Sequence, residues 1–473
     1  MTASGKLTAL HSFLAATDGE NPEDAMVQAT DGNFYGVANG NTGGTTSLYK
    51  VTLKGVFSTL YLFNGTIGTG PVALMQDTDG LLYGDTNTGS GTGQSNGIFY
   101  SWSIGATPFL RLALTSGKVG TLVGMFGQGF DSSSVVKFGG VQAKTFTLTG
   151  TTYITATVPA GAADGKVTVT TGSTTLTSTQ KYIVHNSWGS GKAMPVALFA
   201  PAATGVINSK IYVVGGFTMT SVIANNQIYN PTTNSWRAGA AIPTTTADGA
   251  SAVVNNILYV FGGSQDGTTV TNAVWAYNQV TNTWSSKAAM PTARASAAAA
   301  VKSNIIYVVG GTDGVNRFNT VESYNPATNT WTTKAPLPVG KSEASVGLVG
   351  TTIVAADGYT SSMDTGDNEG YNSSTNAWSA LTSDPTPRHE ACTGSTGTAL
   401  YLAGGSNNSG TSLSLTELFS VTSNKWTTLT SMPLAVTFPG SAIDTGLLYC
   451  FGGSDRNSQF QGNVYNYVQI YQP

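Results

Sequence analysis

Ile305-Ile-Tyr-Val-Val-Gly-Gly311, then Val321-Glu-Ser-Tyr-Asn-Pro-Ala-Thr-Asn-Thr-Trp331, then Leu337-Pro338 decides how this chain folds. An apolar β-branched strand runs into two glycines, a second strand ends in an Asn-Pro turn, and a tryptophan follows the turn. The same order recurs. Trp188, Trp236, Trp284, Trp331, Trp378 and Trp426 stand at steps of 48, 48, 47, 47 and 48 residues, by subtraction of their numbers. A period in that range marks a repeat architecture in which each unit buries its faces against its neighbours. Diglycines recur at Gly215-Gly216, Gly262-Gly263, Gly310-Gly311, Gly404-Gly405 and Gly452-Gly453, and the fourth unit has Asp357-Gly358 instead. Glycine there allows backbone angles and close approaches that a Cβ would block.

Six such sites pair with six tryptophans, which predicts six four-stranded sheets. The order also predicts how they close. Trp188 precedes the first diglycine, and no tryptophan follows Gly452-Gly453. The C-terminal Val468-Gln-Ile-Tyr-Gln-Pro473 aligns with Val321-Glu-Ser-Tyr-Asn-Pro326, whose continuation is found only at His185-Asn-Ser-Trp188. The 186–195 strand is therefore expected to complete the last sheet. This unit resembles the kelch repeat. The resemblance implies a six-bladed kelch β-propeller over 185–473, with the tryptophans packed between sheets and only short edges exposed.

Two further regions precede it. Over 1–104, Asp31-Gly-Asn-Phe-Tyr-Gly36 matches Asp79-Gly-Leu-Leu-Tyr-Gly84, and Gly5-Lys-Leu-Thr-Ala-Leu-His-Ser-Phe13 matches Gly55-Val-Phe-Ser-Thr-Leu-Tyr-Leu-Phe63. These look like GloVer-type tandem repeats of bacterial secreted and surface proteins, in two copies opened by the last strand of a partial one. Over 107–184, Gly127-Gln-Gly-Phe130, Val135-Val-Lys-Phe-Gly-Gly140 and Val158-Pro-Ala-Gly161 separate short alternating strands. This segment resembles IPT/TIG domains, which implies an immunoglobulin-like β-sandwich. The expected fold class is all-β throughout.

Composition agrees and excludes several functions. The 473 residues include 58 Gly, and only 10% are charged, against about 25% in an average soluble domain. Net charge is −3, and no basic run offers a phosphate-tracking groove, so nucleic acid is not an expected partner. No stretch approaches the ~20 apolar residues of a membrane-spanning helix. No glycine-rich loop opens a helix, which removes the nucleotide-binding motifs. Cys392 and Cys450 lack the spacing of a metal knuckle, and are expected as two buried small hydrophobes. The start lacks a basic segment followed by an apolar run. The repeats suggest that the chain begins inside a longer one, with any export signal upstream, and an extracellular or cell-surface location is expected.

Chemistry is expected at one mouth of the ring. Three residues after Pro195, Pro243, Pro291, Pro338, Pro385 and Pro433 stand Leu198, Thr246, Arg294, Lys341, Arg388 and Val436. Two further on stand Ala200, Asp248, Ser296, Glu343, Glu390 and Phe438. The ligand-binding candidates are thus Arg294, Lys341, Arg388, His389, Glu343, Glu390 and Asp248, gathered on one side. Arg can hold a carboxylate through two bonds, and Glu or His can move protons, so an anionic or polyhydroxyl ligand is expected if the group is a site rather than a set of exposed ion pairs. Tyr359, Phe318, Asn407 and Asn408 are loop residues able to touch sugars. Propellers with an attached sandwich are similar to galactose-oxidase-like copper enzymes, but the copper site that resemblance implies needs two His, two Tyr and a Cys cross-linked to one Tyr. This chain has three His, of which only His389 reaches the mouth, so copper activity is rejected and no cofactor or metal is expected. The functional expectation is a secreted or surface binding and assembly protein for a glycan or protein partner, without catalysis. Two alternatives stand beside it: a mutarotase- or lyase-like carbohydrate-active enzyme, and a filament subunit that pairs strands between chains through its N-terminal repeats.

Overall fold

A computed structural model describes residues 9–22, 25–40, 45–64, 66–89, 96–159, 162–455 and 462–473. Two compact units divide the chain, Met1–Val184 and His185–Pro473. Among the described residues the regular elements are strands, and no helix is long and apolar enough to cross a membrane.

The first unit begins with two repeats. β1 (Val27–Gln28), β2 (Phe34–Ala38), β3 (Thr46–Val51) and β4 (Phe57–Phe63) form one antiparallel sheet in that order, and β5 (Thr69–Gln76), β6 (Leu81–Thr88) and β7 (Phe99–Ser103) form a second. The Asp-Gly motif sets both hairpins. Asp31 accepts the Asn33 N–H at 3.0 Å and the Tyr35 hydroxyl at 2.6 Å, and Asp79 accepts the Leu81 N–H at 2.9 Å and the Tyr83 hydroxyl at 2.6 Å. One carboxylate thus closes the turn and anchors the strand that leaves it. The glycine after each tyrosine leaves room for a ring from the next strand. A Cβ at Gly36 or Gly84 would lie 2.5 or 2.4 Å from the hydroxyl of Tyr49 or Tyr100.

Two more sheets complete this unit. One runs Phe146–Thr149, Tyr153–Thr157, Leu122–Phe126, Arg111–Leu112; the other runs Val141–Gln142, Val135–Phe138, Gly165–Thr171, Thr174–His185, Ser116–Lys118. Alternate residues of both, including Val123, Met125 and Ile154 from the first and Phe138, Val167 and Tyr182 from the second, share one buried core.

The second unit holds, among its described residues, six four-stranded antiparallel sheets, here called I to VI in chain order. Sheets I to V span 203–239, 250–286, 298–334, 345–380 and 392–429. Sheet VI joins Gly440–Asp444, Leu447–Phe451 and Val468–Gln472 to Ser187–Gly191 from the other end of the unit, with Trp188 opposite Tyr471. The first strand of each sheet lies beside the first strand of the next, and Gly440–Asp444 of VI lies beside Ala203–Ile207 of I, so the series returns on itself.

Asparagine and tryptophan lock each sheet to the one before. Asn329, at φ +55, accepts the Tyr324 hydroxyl at 2.7 Å and the N–H of Ala288 in the preceding link at 2.8 Å, while Trp331 Nε1 donates to the Ala288 carbonyl at 2.9 Å. The same clasp joins Asn282 and Trp284 to Ala240, Asn376 and Trp378 to Ala335, and Asn424 and Trp426 to Thr382. At the closure Asn186 and Trp188 clasp Thr430. Asparagine suits the position because it tolerates the left-handed backbone and its side chain carries a double acceptor. The periodic tryptophans therefore act as hydrogen-bond donors across the sheet boundary as well as packing groups.

The two cysteines correct the sequence expectation. Cys392 and Cys450 are not separate buried thiols but a disulfide, with Cα atoms 5.7 Å apart at a sequence separation of 58. Cys392 lies on the first strand of sheet V and Cys450 on the second strand of sheet VI. Their neighbourhood is created by packing of one sheet on the next, which spacing along the chain does not display.

Candidate functional site

Six residues, one per sheet, form a collar at the start of the inner strands. Ala200, Asp248, Ser296, Glu343, Glu390 and Phe438 all have positive φ, between +42 and +63. Each donates its backbone N–H to the carbonyl of the collar residue before it: Asp248 to Ala200 at 2.8 Å, Ser296 to Asp248 at 2.9 Å, Glu343 to Ser296 at 2.8 Å, Glu390 to Glu343 at 3.3 Å, Phe438 to Glu390 at 3.0 Å and Ala200 to Phe438 at 2.7 Å. Six bonds thus close a circle. Non-glycine residues rarely hold this conformation, at a cost on the order of 1–2 kcal/mol each, and here every member is held from both sides. The collar caps a channel of about 540 Å³ whose walls are Ala, Gly, Ser, Thr and Val from the six inner strands.

The three bases expected at this mouth are not there. Arg294, Lys341 and Arg388 are fully buried. Each turns back into its own sheet to a glutamate on the third strand. Arg294 meets Glu322 at 2.6 Å, Lys341 meets Glu369 at 2.6 Å, and Arg388 pairs with Glu417. Backbone carbonyls take further donors: Thr320 and Gly310 from Arg294, Asp367 from Lys341, Leu415 and Gly404 from Arg388. A charge in this interior requires a partner and hydrogen bonds; each of the three has its glutamate and at least one backbone carbonyl, while Arg294 Nε finds no acceptor. They are staples within blades, unavailable to a ligand. The separations of 28, 28 and 29 residues between base and acid were a readable signal.

Four of the expected residues, Asp248, Glu343, His389 and Glu390, do come together at the collar. His389 is wedged between acids. Its Nδ1 lies 2.6 Å from Asp364 and its Nε2 lies 3.1 Å from Glu390. Burial opposes the imidazolium, but the bonds to Asp364 and Glu390 outweigh it and raise the pKa to about 10. Burial raises Glu343 to about 8, and Glu390 and Asp248 add to the rise. Burial raises Asp248 to about 6 against a hydrogen bond from Ser296, and raises Glu390 against its bond to His389. At neutral pH the group therefore holds a protonated Glu343, a carboxylate at Asp248 and an imidazolium paired with Glu390. Displaced values of this kind, gathered around one opening, are a marker of functional sites. One ligand atom each from Glu343, His389 and Glu390 lie within 4.8 Å of one another. A metal would need the imidazole neutral, and both ring nitrogens are engaged by carboxylates that favour the charged form.

A second tier stands outside the collar; of its residues Tyr359 was expected from the sequence as a loop aromatic, and Arg317 and Asp364 were not. Isolated bridges extend each sheet beyond its diglycine: Phe199, Phe217 and Val222 on I; Ala295, Thr312 and Arg317 on III; Ser342, Tyr359 and Asp364 on IV; His389, Ser406 and Ser412 on V. Arg317 donates to Thr312 at 2.8 Å and lies 5.4 Å over the Tyr359 ring, which in turn lies 5.3 Å from His389. Across the ring, on sheets I and VI, Phe199 stacks on Phe217 at 5.2 Å and approaches Phe438 at 6.1 Å. Of the other loop residues, Asn408 accepts the Asp364 N–H at 2.6 Å and Asn407 caps its own turn. The readable signal for this tier was the residue directly after each diglycine, which is Phe217, Thr312, Tyr359 or Ser406 on these sheets.

Comparison with known proteins now bears on this unit. Residues 182–358 match the KLHDC2/KLHL20/DRC7 Kelch-repeats domain, and residues 387–433 match the Kelch motif. The second unit carries kelch repeats. A solved structure, that of YjhT, aligns with a TM-score of 0.51 at 18% identity over 59% of this chain and 96% of that chain. At that identity the likeness speaks for the fold alone, a kelch-type β-propeller. No curated protein matches the chain. Kelch repeats point to a protein-binding propeller.

Proposed function

We propose that this chain is an exported, non-catalytic binding and assembly protein. In this reading GloVer-type repeats (1–104) and an IPT/TIG sandwich (107–184) carry a six-bladed kelch propeller (185–473), and the propeller recognises a partner through its collar rim. One observation carries the choice of ligand chemistry: the bases are consumed inside the blades, so the rim is left with carboxyls, an imidazolium, Arg317, Tyr359 and three phenylalanines. That mixture of fixed donors and acceptors opposite stacked rings suits a neutral polyhydroxyl group, such as the end of a glycan on a partner surface, better than the anionic ligand that three free bases would have favoured. The disulfide supports export, since such bonds persist in oxidising compartments. Assembly is assigned to the N-terminal repeats.

The test is calorimetric titration of the intact chain with neutral and uronate oligosaccharides. Neutral sugars are expected to bind, with affinity falling at least tenfold in Tyr359→Ala and in His389→Ala, and with no product formed. Preference for the uronates, or no binding by any sugar, would overturn the ligand class.

A second reading has one observation in its favour. Glu343 and Glu390 lie in the same cluster and burial raises both, but only Glu390 bonds to His389, an asymmetry that suits a general acid and base pair. A mutarotase- or lyase-like enzyme would then lose about 10²–10⁴ in rate on Glu343→Gln while keeping its affinity. A binding site would show no turnover to lose.

A further inference from the structure

Charge is unevenly shared along this chain. Residues 107–184 hold six of its 21 lysines and arginines but two of its 24 aspartates and glutamates. Five of those six bases are lysines, and one sheet gathers them. Its strands run Val141–Gln142, Val135–Phe138, Gly165–Thr171, Thr174–His185, Ser116–Lys118. Alternation decides the side on which each residue stands. Val136, Phe138, Val167, Val169, Leu176 and Tyr182 point into the buried core, so Lys137, Lys166 and Lys181 point away from it. Gly117 faces inward, since a Cβ there would stand 2.5 Å from the Tyr182 hydroxyl, and this turns Lys118 outward. Lys144 follows Val141–Gln142 in phase with Gln142. All five lysines are exposed.

Lysine on an edge strand is an ordinary guard against unwanted pairing, and Lys118 and Lys144 fit that role. Lys137, Lys166 and Lys181 stand on the three inner strands, where there is no edge to guard. Lys166 and Lys181 are direct cross-strand partners, an arrangement in which like charges destabilise the sheet. Lys137 stands opposite Thr168, two residues from Lys166. No acid relieves them. Among the described residues none of the five lysines joins an ion pair, and Lys166 Nζ donates to the Thr179 carbonyl. The two acids of the segment are engaged by backbone: Asp164 accepts the Val184 N–H at 2.8 Å and Asp131 accepts the Ser133 N–H at 2.7 Å. Beside the lysines, Thr168 and Thr170 stand opposite Thr177 and Thr175, and the hydroxyls of Thr170 and Thr175 are 2.9 Å apart. A positive band thus crosses all five strands, roughly 20 Å wide at ~4.8 Å per strand, and a patch of hydroxyls borders it.

We propose that this side of the sheet binds a polysaccharide chain that carries sulfate or phosphate groups. Lysine is a compact point charge on a flexible stem, which suits a tetrahedral oxyanion, whereas a planar carboxylate is best matched by the fork of arginine; no arginine stands on this side. The threonine hydroxyls can donate to and accept from sugar hydroxyls. No aromatic ring is present here to stack a nucleic-acid base. The apolar residues on this side, Val135 and Ile183, are half-buried, which leaves nothing to enter a bilayer. A patch of one sign also draws a polyanion from a distance, an attraction that salt screens. The inference goes beyond the function proposed above and is independent of the sugar at the propeller rim.

The experiment passes the full chain over immobilised dextran sulfate, with dextran, polygalacturonate, duplex DNA and phosphatidylglycerol vesicles as alternatives. Dextran sulfate is expected to bind about tenfold or more tighter than any alternative, and to lose about tenfold in affinity between about 50 and 300 mM salt. Lys137→Gln, Lys166→Gln and Lys181→Gln together are expected to weaken it by about tenfold or more. Lys54→Gln, Lys192→Gln and Lys425→Gln remove the same charge from other exposed positions, and are expected to leave binding unchanged. Both triple variants alter exposed side chains only, and an unchanged melting temperature checks that each is folded. No binding to dextran sulfate, binding indifferent to salt, or equal losses in the two triple variants would overturn the site. Equal or tighter binding of polygalacturonate, DNA or vesicles would overturn the class of partner. The sheet variant should still bind neutral sugars at the rim as the unaltered chain does, so failure of either reading is seen separately from the other.

Discussion

Asp357 shows how much one residue changes. Five sheets place glycine at the first position of the pair, and at each a Cβ would fall 2.1–2.7 Å from the backbone carbonyl of the next sheet's Leu198, Thr246, Arg294, Lys341 or Val436. Sheet IV carries aspartate there at φ +58. Its buried carboxyl lies 3.8 Å from Arg388 Nε, and Asp384 lies 3.6 Å from the same atom. Arg388 already pairs with Glu417, so burial and then Asp384 push the Asp357 carboxyl well above the usual carboxylate range. As carboxylates, Asp384 Oδ2 and both Asp357 oxygens find no hydrogen-bond donor; one proton held between the two acids supplies it. An acid whose folded pKa is raised adds stability that is complete below its unfolded pKa of about 3.9 and is lost as pH climbs through the folded value. Asp357→Gly is therefore expected to raise the melting temperature more at pH 8 than at pH 4, by scanning calorimetry; equal shifts at both would refute the protonated form. The sign is the same for Glu343, raised to about 8. Glu343→Gln should gain stability progressively between pH 4 and 8 and nothing below pH 4, read from urea midpoints.

At the scale of the element, one device staples three of the sheets internally and another joins sheet to sheet. The base–glutamate staple joins the entrance of the first strand to the third strand of the same sheet. Breaking a buried pair from one side leaves an uncompensated charge and costs about 3–5 kcal/mol, whereas replacing both partners by apolar groups is often neutral. Arg294→Met alone should fall in that range in urea unfolding, and Arg294→Met with Glu322→Leu should recover most of the loss; an additive double variant would mean the pair is not coupled. The Asn-Trp clasp acts between sheets. Trp331→Phe keeps the ring but deletes the donor to Ala288, and should cost about 1 kcal/mol, the net worth of a hydrogen bond. The staple explains why the rim expectation failed for Arg294, Lys341 and Arg388. Alignment on the prolines gives a position along each repeat, but the direction of the side chain is set by what the third strand offers. Sheets with no base at this position carry Gln227, Trp275 or Gln469 at the place of the glutamate, so base and acid travel together within the repeat.

For the whole molecule, stability turns on the closing sheet. Sheet VI is made from both ends of the unit, and the Cys392–Cys450 disulfide ties it to sheet V across 58 residues. Constraining a loop of that length is worth about 4 kcal/mol in the chain-entropy account. Cys450→Ala, or a strong reductant, should lower unfolding stability by up to that amount, measured by denaturant unfolding with and without reductant.

By itself the sequence determined the all-β class, the sheet-to-sheet period of 47–48 residues and the place where the two ends of the propeller unit meet. A repeat writes its local structure many times over: strand pattern, glycine pair, asparagine turn and tryptophan must agree in every copy, because each unit buries the same faces. Only the tertiary structure decided the disulfide, the inward turn of the three bases and the second tier that brings Arg317, Tyr359 and Asp364 to His389. Those contacts join residues of different strands or sheets; the repeat marks the positions of the bases, their glutamates and the residues after each diglycine, but close packing decides which way their side chains turn and whom they meet.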